Sequence, residues 1–503
     1  MDNQLVFTEK LYKRPVLSRT FTKEDSGEFV IPDTEPDALR VVFACAAPYI
    51  RTKEAAAGRV SVSGVTELTV IYVPEGGKEL RRVTSSVPFA SSCEGEEISE
   101  FCQVAASVEC AQCDGRIINS RKLGVHVELI YRIQVYSDGK ITLPTGFSEP
   151  EGKETLTETL RLCLPACVTE KTVSLTDSPS AGGIAQVLAS TVCLRNEDVR
   201  VVGAKAVVRG AAVTKSLCTM KNGEAEMVTT ESPYSQVMEL EGEMEGAIFN
   251  VTAAPTGLYV SLEQDTLSIE VHAVLQLTAY EKSELSYIKD AYISGMDSSI
   301  ETESLTLDSL TGFESLPVEA AFSFGTPEKV RSIAAVRALG GAPSVEDGAL
   351  TVPMSGAVVF TNEAGEYFGS VRRGTAQYAK SLDSGFTWEP VGFYSEDEKA
   401  EYNRTEEGIA ARTSGLVTCA RYKKETAQYV VKLTGREQES CGRCPSIIAC
   451  RAGENTTLWE LGKHYSVALG DILSANGMAE GQEPTPGQLL IIPVKMKKQG
   501  KSV

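Results

Sequence analysis

The sequence has few of the residues that enzymes commonly use for chemistry, and no segment suited to crossing a membrane. Three histidines occur in 503 residues, and the sequence contains no G-x-S-x-G elbow, phosphate-cradling glycine loop or H-E-x-x-H motif. No run approaches the roughly 18–20 uninterrupted apolar residues of a membrane helix. The first residues, MDNQLVFTEK, lack the apolar segment of a secretory signal. We therefore predict no catalytic residues, no cofactor, no membrane insertion and a cytoplasmic location.

Positive charge is also scarce. The chain carries 49 lysines and arginines against 68 aspartates and glutamates, for a formal net charge of −19 and a sequence pI of about 4.9. Such a surface repels phosphate backbones and anionic lipid headgroups, so we expect no nucleic-acid partner. Residues 494–503 are an exception, because Lys495, Lys497, Lys498 and Lys501 predict a short, solvated basic tail there.

The cysteines do not suggest a disulfide scaffold. Thirteen is an odd number, and they are spread along the whole chain. Cys45, Cys193, Cys218 and Cys419 stand in apolar strand patterns, where a reduced cysteine behaves as a small hydrophobic residue. Reduced, buried thiols are the prediction for these positions.

One cysteine group leaves alternatives open. The segment CGRCPSIIAC contains Cys441, Cys444 and Cys450, and a Cys-x-x-Cys knuckle can grip Zn²⁺. A tetrahedral site needs a fourth ligand, which is not nearby in sequence, although Cys110 and Cys113 form a second Cys-x-x-Cys pair. Metal binding, oxidative cross-linking and ordinary buried thiols are the alternatives, and the prediction is no metal site.

The histidines do not form an evident site. His126 and His272 stand on corresponding strands beside Glu128 and Glu270, on the polar side of the alternation. That pattern predicts an exposed sheet face. His464 falls on the predicted surface of a short helix.

A hairpin pattern occurs three times. Residues 60–79, 206–224 and 352–367 each alternate apolar and polar residues, reach an apolar anchor and break at a glycine-containing turn. The anchors are Tyr72, Cys218 and Phe360, about 145 residues apart. This period predicts three related units of domain size.

Other features recur in register with the anchors. Residues 29–42, 174–188 and 322–336 each predict a strand, a turn and the start of a helical turn. Closing strands end at Tyr136, Tyr280 and Tyr422. Strands at this spacing predict a mainly β chain of antiparallel, sandwich-like domains at residues 1–150, 160–290 and 315–438. The polar segments 138–158 and 283–317 are predicted to be inter-domain connections.

The C-terminal part has a different pattern. A short apolar strand at residues 447–450 precedes a polar loop and a helix at residues 457–465. A second helix at residues 468–475 ends at Asn476-Gly477, a typical left-handed stop. A closing strand is predicted at residues 489–493. The expected order is strand, helix, helix, strand.

Three motifs in that order resemble the LysM domain over residues 446–493: TLW opening the first helix, D-I-L-x-x-N-G closing the second, and P-G-Q-x-L-x-I-P. The resemblance implies binding of N-acetylglucosamine-containing glycans, above all peptidoglycan, in a shallow groove between two loops. The groove residues that it implies are Gly453, Glu454, Asn455, Thr456, Thr457, Leu458, Asn476, Gly477, Met478 and Ala479. Family members typically have G-D-T-L-W where this chain has GENTTLW, which alters one groove wall. Trp459 is predicted to be a core aromatic.

The stretch VIPDTEPDALRVV and the hairpin strand GRVSVSG resemble the SPOCS domain of spore-coat and spore-envelope proteins, which sometimes carry a C-terminal LysM module. The resemblance implies a non-enzymatic scaffold, made in the mother-cell cytoplasm, recruited to the forespore surface and bridging coat morphogenetic proteins. The LysM module would localise it through a coat protein or through glycan. A peptidoglycan-binding cell-wall protein is the alternative, and an enzyme with a deep polar pocket in a β unit is the third.

Overall fold

The computed structural model describes residues 4–326, 328–437 and 446–494. The chain is mainly β and its strands pair antiparallel, as predicted. Unit one contains β1 (Leu5–Val30), β2 (Ala38–Ala56), β3 (Arg59–Pro74), β4 (Arg81–Glu94), β5 (Gln103–Asn119) and β6 (Lys122–Phe147). Unit two contains β7 (Lys153–Asp177), β8 (Ile184–Val202), β9 (Lys205–Met220), β10 (Ala225–Glu239), β11 (Ile248–Glu263) and β12 (Thr266–Ile293).

Unit three has more strands, and several of them are short. It contains β13 (Met296–Gly325), β14 (Val330–Gly340), β15 (Ser344–Glu346), β16 (Ala349–Asn362), β17 (Tyr367–Gln377), β18 (Thr387–Ser395), β19 (Glu401–Thr405) and β20 (Gly408–Glu437). A single 3₁₀ turn at Asp397–Lys399 separates β18 from β19.

Units one and two have the same sheet topology. In each, the first strand pairs with the last, and the last pairs with the fifth, giving the orders β1-β6-β5 and β7-β12-β11. The second, third and fourth strands form a separate meander, β2-β3-β4 or β8-β9-β10. In unit three the equivalent sheets join through a bridge between Glu319 and Gln377, in the order β14-β16-β17-β13-β20-β18.

The apolar residues of each unit meet between its two sheets. In β3, alternate residues such as Val60, Val62 and Val70 are fully buried, as period-2 patterning requires. Gly64 in this strand is needed for a close approach, because a Cβ there would lie 2.6 Å from the Phe89 ring. Gly210 has the same role beneath Tyr234 in unit two.

A bulge recurs at one position of each long hairpin. The register between first and last strands shifts next to Tyr136 in unit one, Tyr280 in unit two and Tyr422 in unit three. A bulge bends the strand and increases its local twist. The three tyrosines that end the predicted closing strands therefore occupy equivalent positions in the fold.

The three units pack on one another through several apolar clusters, two of which are described here. The meanders meet through residues that include Phe43 of unit one, Leu188 of unit two and Val359 of unit three. The long strands meet beyond the bulges, where Leu143 of unit one and Leu162 of unit two pack in the same cluster as residues of unit three. Apolar burial across all three units stabilises their arrangement.

Two local predictions are wrong. Residues 138–147 and 153–158 lie in β6 and β7, and most of residues 283–317 lie in β12 and β13, so these segments are not connections outside the sheets. Their polar residues fill the exposed side of the long hairpins, while leucines of the other side pack against neighbouring units. The expected helical turns after the first strands are also absent from the described residues: turns lead into β2 and β8, and residues 328–329 before β14 are not helical.

The C-terminal module has the predicted element order. It consists of β21 (Ile447–Arg451), α1 (Leu458–Tyr465), α2 (Leu469–Asn476) and β22 (Leu489–Pro493), with β21 and β22 paired antiparallel. Leu458, Ile472 and Leu490 are buried in its core. Thr457 and Glu460 form a capping box at the start of α1. Gly477 ends α2 with a φ of +61°, a conformation in which glycine carries no steric penalty.

Candidate functional site

The first loop of the predicted groove is partly exposed and partly structural. Its backbone folds back on itself, since the Gly453 N–H donates to Thr456 Oγ1 at 2.8 Å. Glu454 and Asn455 are exposed. Leu458 is 5% exposed and packs in the core. Only the first part of this loop, residues 453–455, is available to a ligand.

The second loop is held by Asn476. The Asn476 Nδ2 donates to the carbonyl oxygens of Ile472 and Ile491, at 2.8 and 2.7 Å, and its Oδ1 accepts from the Ile491 N–H at 2.7 Å. This side chain ties α2 to β22, and its hydrogen-bonding capacity is used. Met478 is partly buried against the core, whereas Gly477 and Ala479 are exposed.

Glu483 connects the two loops. Its Oε2 accepts from the Leu458 N–H at 2.8 Å, at the first turn of α1. The carboxylate thereby occupies the position at which a helix N-terminus would otherwise favour an anion. A neutral ligand such as an amide-bearing sugar fits the remaining exposed surface better than an anionic one.

Trp459 contacts unit two. Its Nε1 donates to Asp290 Oδ2 at 2.9 Å, and its ring packs edge-on against Tyr292 with a centroid separation of 5.1 Å. Lys463 Nζ lies 2.6 Å from Asp290 Oδ1. The predicted core aromatic is therefore a docking residue between α1 and β12.

The docking is completed by the backbone that follows α1. Tyr292 Oη donates to the Val467 carbonyl at 2.8 Å, and the Gly295 N–H donates to the Ser466 carbonyl at 2.6 Å. Tyr292 is 1% exposed. A Cβ on Gly462 would clash with its hydroxyl, so this glycine permits the close contact. The predicted groove loops take no part in these docking contacts.

No family model, curated protein or solved structure matches the chain. The LysM and SPOCS resemblances therefore stay predictions.

Most of the described cysteines are unreactive in their surroundings. Cys45, Cys218 and Cys419 are buried as predicted, whereas Cys193 is exposed. Burial raises the pKa of the Cys110 thiol to about 12, which suppresses the thiolate that would ligate metal or react.

The Cys-x-x-Cys motif at residues 441–444, formed by Cys441 and Cys444, lies outside the described residues, as do the four lysines of the basic tail. Cys450 is partly buried and packs against the core of the C-terminal module. Within residues 4–326, 328–437 and 446–494, no three or more histidine, cysteine, aspartate or glutamate side chains are grouped to hold a metal ion.

The histidines and the helices add two further observations. His464 is exposed as predicted, while His126 and His272 are only partly exposed. His272 Nε2 lies 3.1 Å from Glu270 Oε1 on the same strand.

No helix in the described part of the chain is both long and apolar enough to span a bilayer.

A charged cluster joins units two and three. Lys215, on β9, is ion-paired with Asp397 and lies 3.0 Å from Glu398 Oε2. Desolvation lowers the pKa of Lys215 despite the nearby Glu398 carboxylate. We interpret the cluster as a structural contact, because Lys215 and Asp397 are both largely buried between the two units.

Sequence reasoning missed a polar cleft where the three units meet. It is open to solvent and has a cavity volume of about 30 Å³, and its walls include Ser107 and Arg132 of unit one, Asn250 and Thr252 of unit two, and Glu389 of unit three. We call it the junction cleft. The sequence signal was Arg132 itself, a charge inside the apolar strand segment LIYRIQVY.

Proposed function

We propose that the chain is a non-enzymatic scaffold of the bacterial endospore envelope, in which the β units bind coat morphogenetic proteins and the C-terminal module localises the chain. The observation that carries this proposal is the docking of the module. Trp459 and Lys463 fix α1 to Asp290 of unit two, while residues 453–455 of the first loop stay exposed. A recognition module attached in this way suits a protein that positions other proteins.

The three-unit body also supports a scaffold. Its sheets end in edge strands such as β4 and β10, and an edge strand can pair with a strand of another chain. Exposed apolar side chains, among them Phe101 at 86% exposure and Leu11 at 71%, offer further contact points.

The test is localisation of the tagged full-length chain in sporulating cells. Deleting residues 446–503 should leave the protein diffuse in the mother cell. A Glu454→Ala/Asn455→Ala variant should do the same without loss of stability, because both side chains are exposed. As a matched control, Glu243→Ala/Glu245→Ala changes two exposed acids in a loop of unit two and should localise normally. A truncated protein that still encircles the forespore would refute the localising role.

A peptidoglycan-binding cell-wall protein is the second candidate. It is favoured by the exposure of Gly453, Gly477 and Ala479, because glycine-containing loops let a sugar approach the backbone closely. Sedimentation with purified peptidoglycan separates the two. Tight, saturable binding that the Glu454→Ala/Asn455→Ala variant loses supports glycan binding as the function, and no co-sedimentation supports a protein partner.

A further inference from the structure

The junction cleft contains a buried guanidinium with unused hydrogen-bonding groups. Arg132 is 8% exposed and stands on the central strand β6, directly between Thr20 of β1 and Ser107 of β5. Its Nη1 lies 2.7 Å from Glu109 Oε1. Its Nε and Nη2, and the hydroxyl of Ser107, have no hydrogen-bond partner among the described residues.

Unpaired groups of this kind are costly. A buried donor without an acceptor loses the hydrogen bonds that it made with water, and the loss is larger for a charged group. One ion pair with Glu109, whose side chain is 42% exposed, does not use the fork that Nε and Nη2 present. Such a fork matches the two oxygens of a carboxylate or a phosphate.

The other charged groups of the cleft limit the ligand's size and charge. Arg19 is exposed at the cleft, and Glu389 carries a negative charge there, with Oε1 accepting from Ser18 Oγ at 2.5 Å. With Glu109 beside Arg132, positive and negative charges are nearly balanced. A polyanion is therefore disfavoured, and a single oxyanion on a polar body is favoured. The amide of Asn250 and the hydroxyl of Thr252 supply neutral hydrogen-bonding groups.

We propose that the junction cleft binds a small molecule through one carboxylate or phosphate group, held by Nε–H and Nη2–H of Arg132 and by the hydroxyl of Ser107. Both nitrogens are buried, and the exposed side chain of Arg19 lies at the rim of the cleft. Since the walls come from all three units, the bound ligand joins them. This site is independent of the scaffold function proposed above.

The experiment measures the thermal unfolding midpoint and the binding heat of the full-length protein with inorganic phosphate and with acetate, against chloride at matched ionic strength. We expect a saturable increase in the unfolding midpoint with at least one of the two oxyanions. The oxyanion that binds more tightly identifies the chemical class of the ligand. Arg132→Met should abolish the increase in the midpoint. Ser107→Ala should weaken binding roughly tenfold, the size of one hydrogen bond to a charged group.

Glu109→Gln should change the oxyanion affinity in the opposite direction. Removing the internal carboxylate frees Arg132, so affinity should rise roughly threefold, whereas a purely structural pair would give no gain. Arg161→Gln, which changes an arginine with 79% side-chain exposure on β7, is the matched control and should bind like wild type. The proposal is wrong if neither oxyanion acts beyond chloride, if Arg132→Met still responds, or if Glu109→Gln leaves affinity unchanged.

Discussion

Two sets of equivalent positions, here called rows, on the same face of the long hairpins can be compared across the three units. The units have the same residue type in one set and different residue types in the other. In the first row every unit has a tyrosine: Tyr136, Tyr280 and Tyr422. Four residues earlier on the same strands, the second row holds Arg132, Gln276 and Thr418. Positions four apart on a strand share a face.

The tyrosine row closes the junction. Burial raises the pKa of Tyr136, Tyr280 and Tyr422, and the phenol of Tyr280 interacts with the other two. Large side chains with a polar tip can fill the centre of a threefold arrangement and satisfy one another. The repeated residue therefore has a packing role in each unit.

The second row divides its roles. Gln276 is 4% exposed, and its amide is saturated by unit one, since Oε1 accepts from the Ala106 N–H at 2.7 Å and Nε2 donates to the Ala106 carbonyl at 2.8 Å. Arg132, in the equivalent position of unit one, has no such partner for Nε or Nη2. Gln276 therefore joins two units, whereas Nε and Nη2 of Arg132 have no partner among the described residues.

The largest expected effect is on the Gln276 side. Gln276→Leu leaves the N–H and carbonyl of Ala106 without partners, so the free energy of unfolding should fall by about 3 kcal/mol, measured by urea denaturation. Thr418→Val, at the equivalent position of unit three, is the control and should change it by less than about 1 kcal/mol. If Gln276→Leu has the wild-type free energy of unfolding, Gln276 does not stabilise the contact between units one and two.

Alkaline pH should act on the tyrosine row. Burial raises the folded-state pKa of these phenols above 10.0, their unperturbed value, so the unfolded chain loses these protons first. Stability should therefore be complete below pH 10 and fall as pH rises above it. For each phenol the slope is about 1.4 kcal/mol per pH unit. Tyr280→Phe should remove one such contribution from the alkaline denaturation curve, while the exposed control Tyr402→Phe should not. Identical curves would rule out a buried tyrosine row.

A smaller effect is expected at Lys53, which supports Gln276. Its Nζ donates to Gln276 Oε1 and to the Val104 carbonyl, both at 2.7 Å, and it pairs with the half-exposed Glu170. Lys53→Met should lower the free energy of unfolding by about 1 kcal/mol, measured as above. Combined with Gln276→Leu it should cost less than the sum, because the two side chains share one contact. Full additivity would show that Lys53 does not act through Gln276.

The smallest effect is expected at Arg132. Replacing a buried charge that has few partners by an apolar side chain of similar length is often neutral or stabilising. In buffer without oxyanions, Arg132→Met should therefore unfold within about 1 kcal/mol of wild type, or at higher urea. A loss as large as that of Gln276→Leu would make Arg132 a structural residue and remove the contrast between the two positions.

Local patterns predicted the elements well. Period-2 alternation found the hairpins around Tyr72 and Cys218, and helical periodicity with the stop at Asn476-Gly477 bounded both C-terminal helices to within one residue. These signals lie within a few neighbouring residues. Segments 138–158 and 283–317 were wrongly predicted to be connections. These parts of the long strands, including the first part of β13, are buried by packing between units rather than marked by strong local alternation.

The junction cleft could not be predicted for the same reason. Arg132, Asn250 and Glu389 come from three different units, and no local period relates residues so far apart in sequence. The groove residues stay a prediction, and the use of Asn476 by β22 and the docking of Trp459 depend on contacts outside the motifs. What the sequence could not supply was the arrangement of one element against another.

The attachment of α1 to β12 also fixes a direction. Trp459, Tyr292 and the Gly295–Ser466 backbone contact restrain the module at several points rather than on a tether. If the module binds a surface, as proposed above, every copy of the chain will present its three β units at the same angle to that surface. In an array of such copies, the same face of the three β units would point away from the surface in every copy.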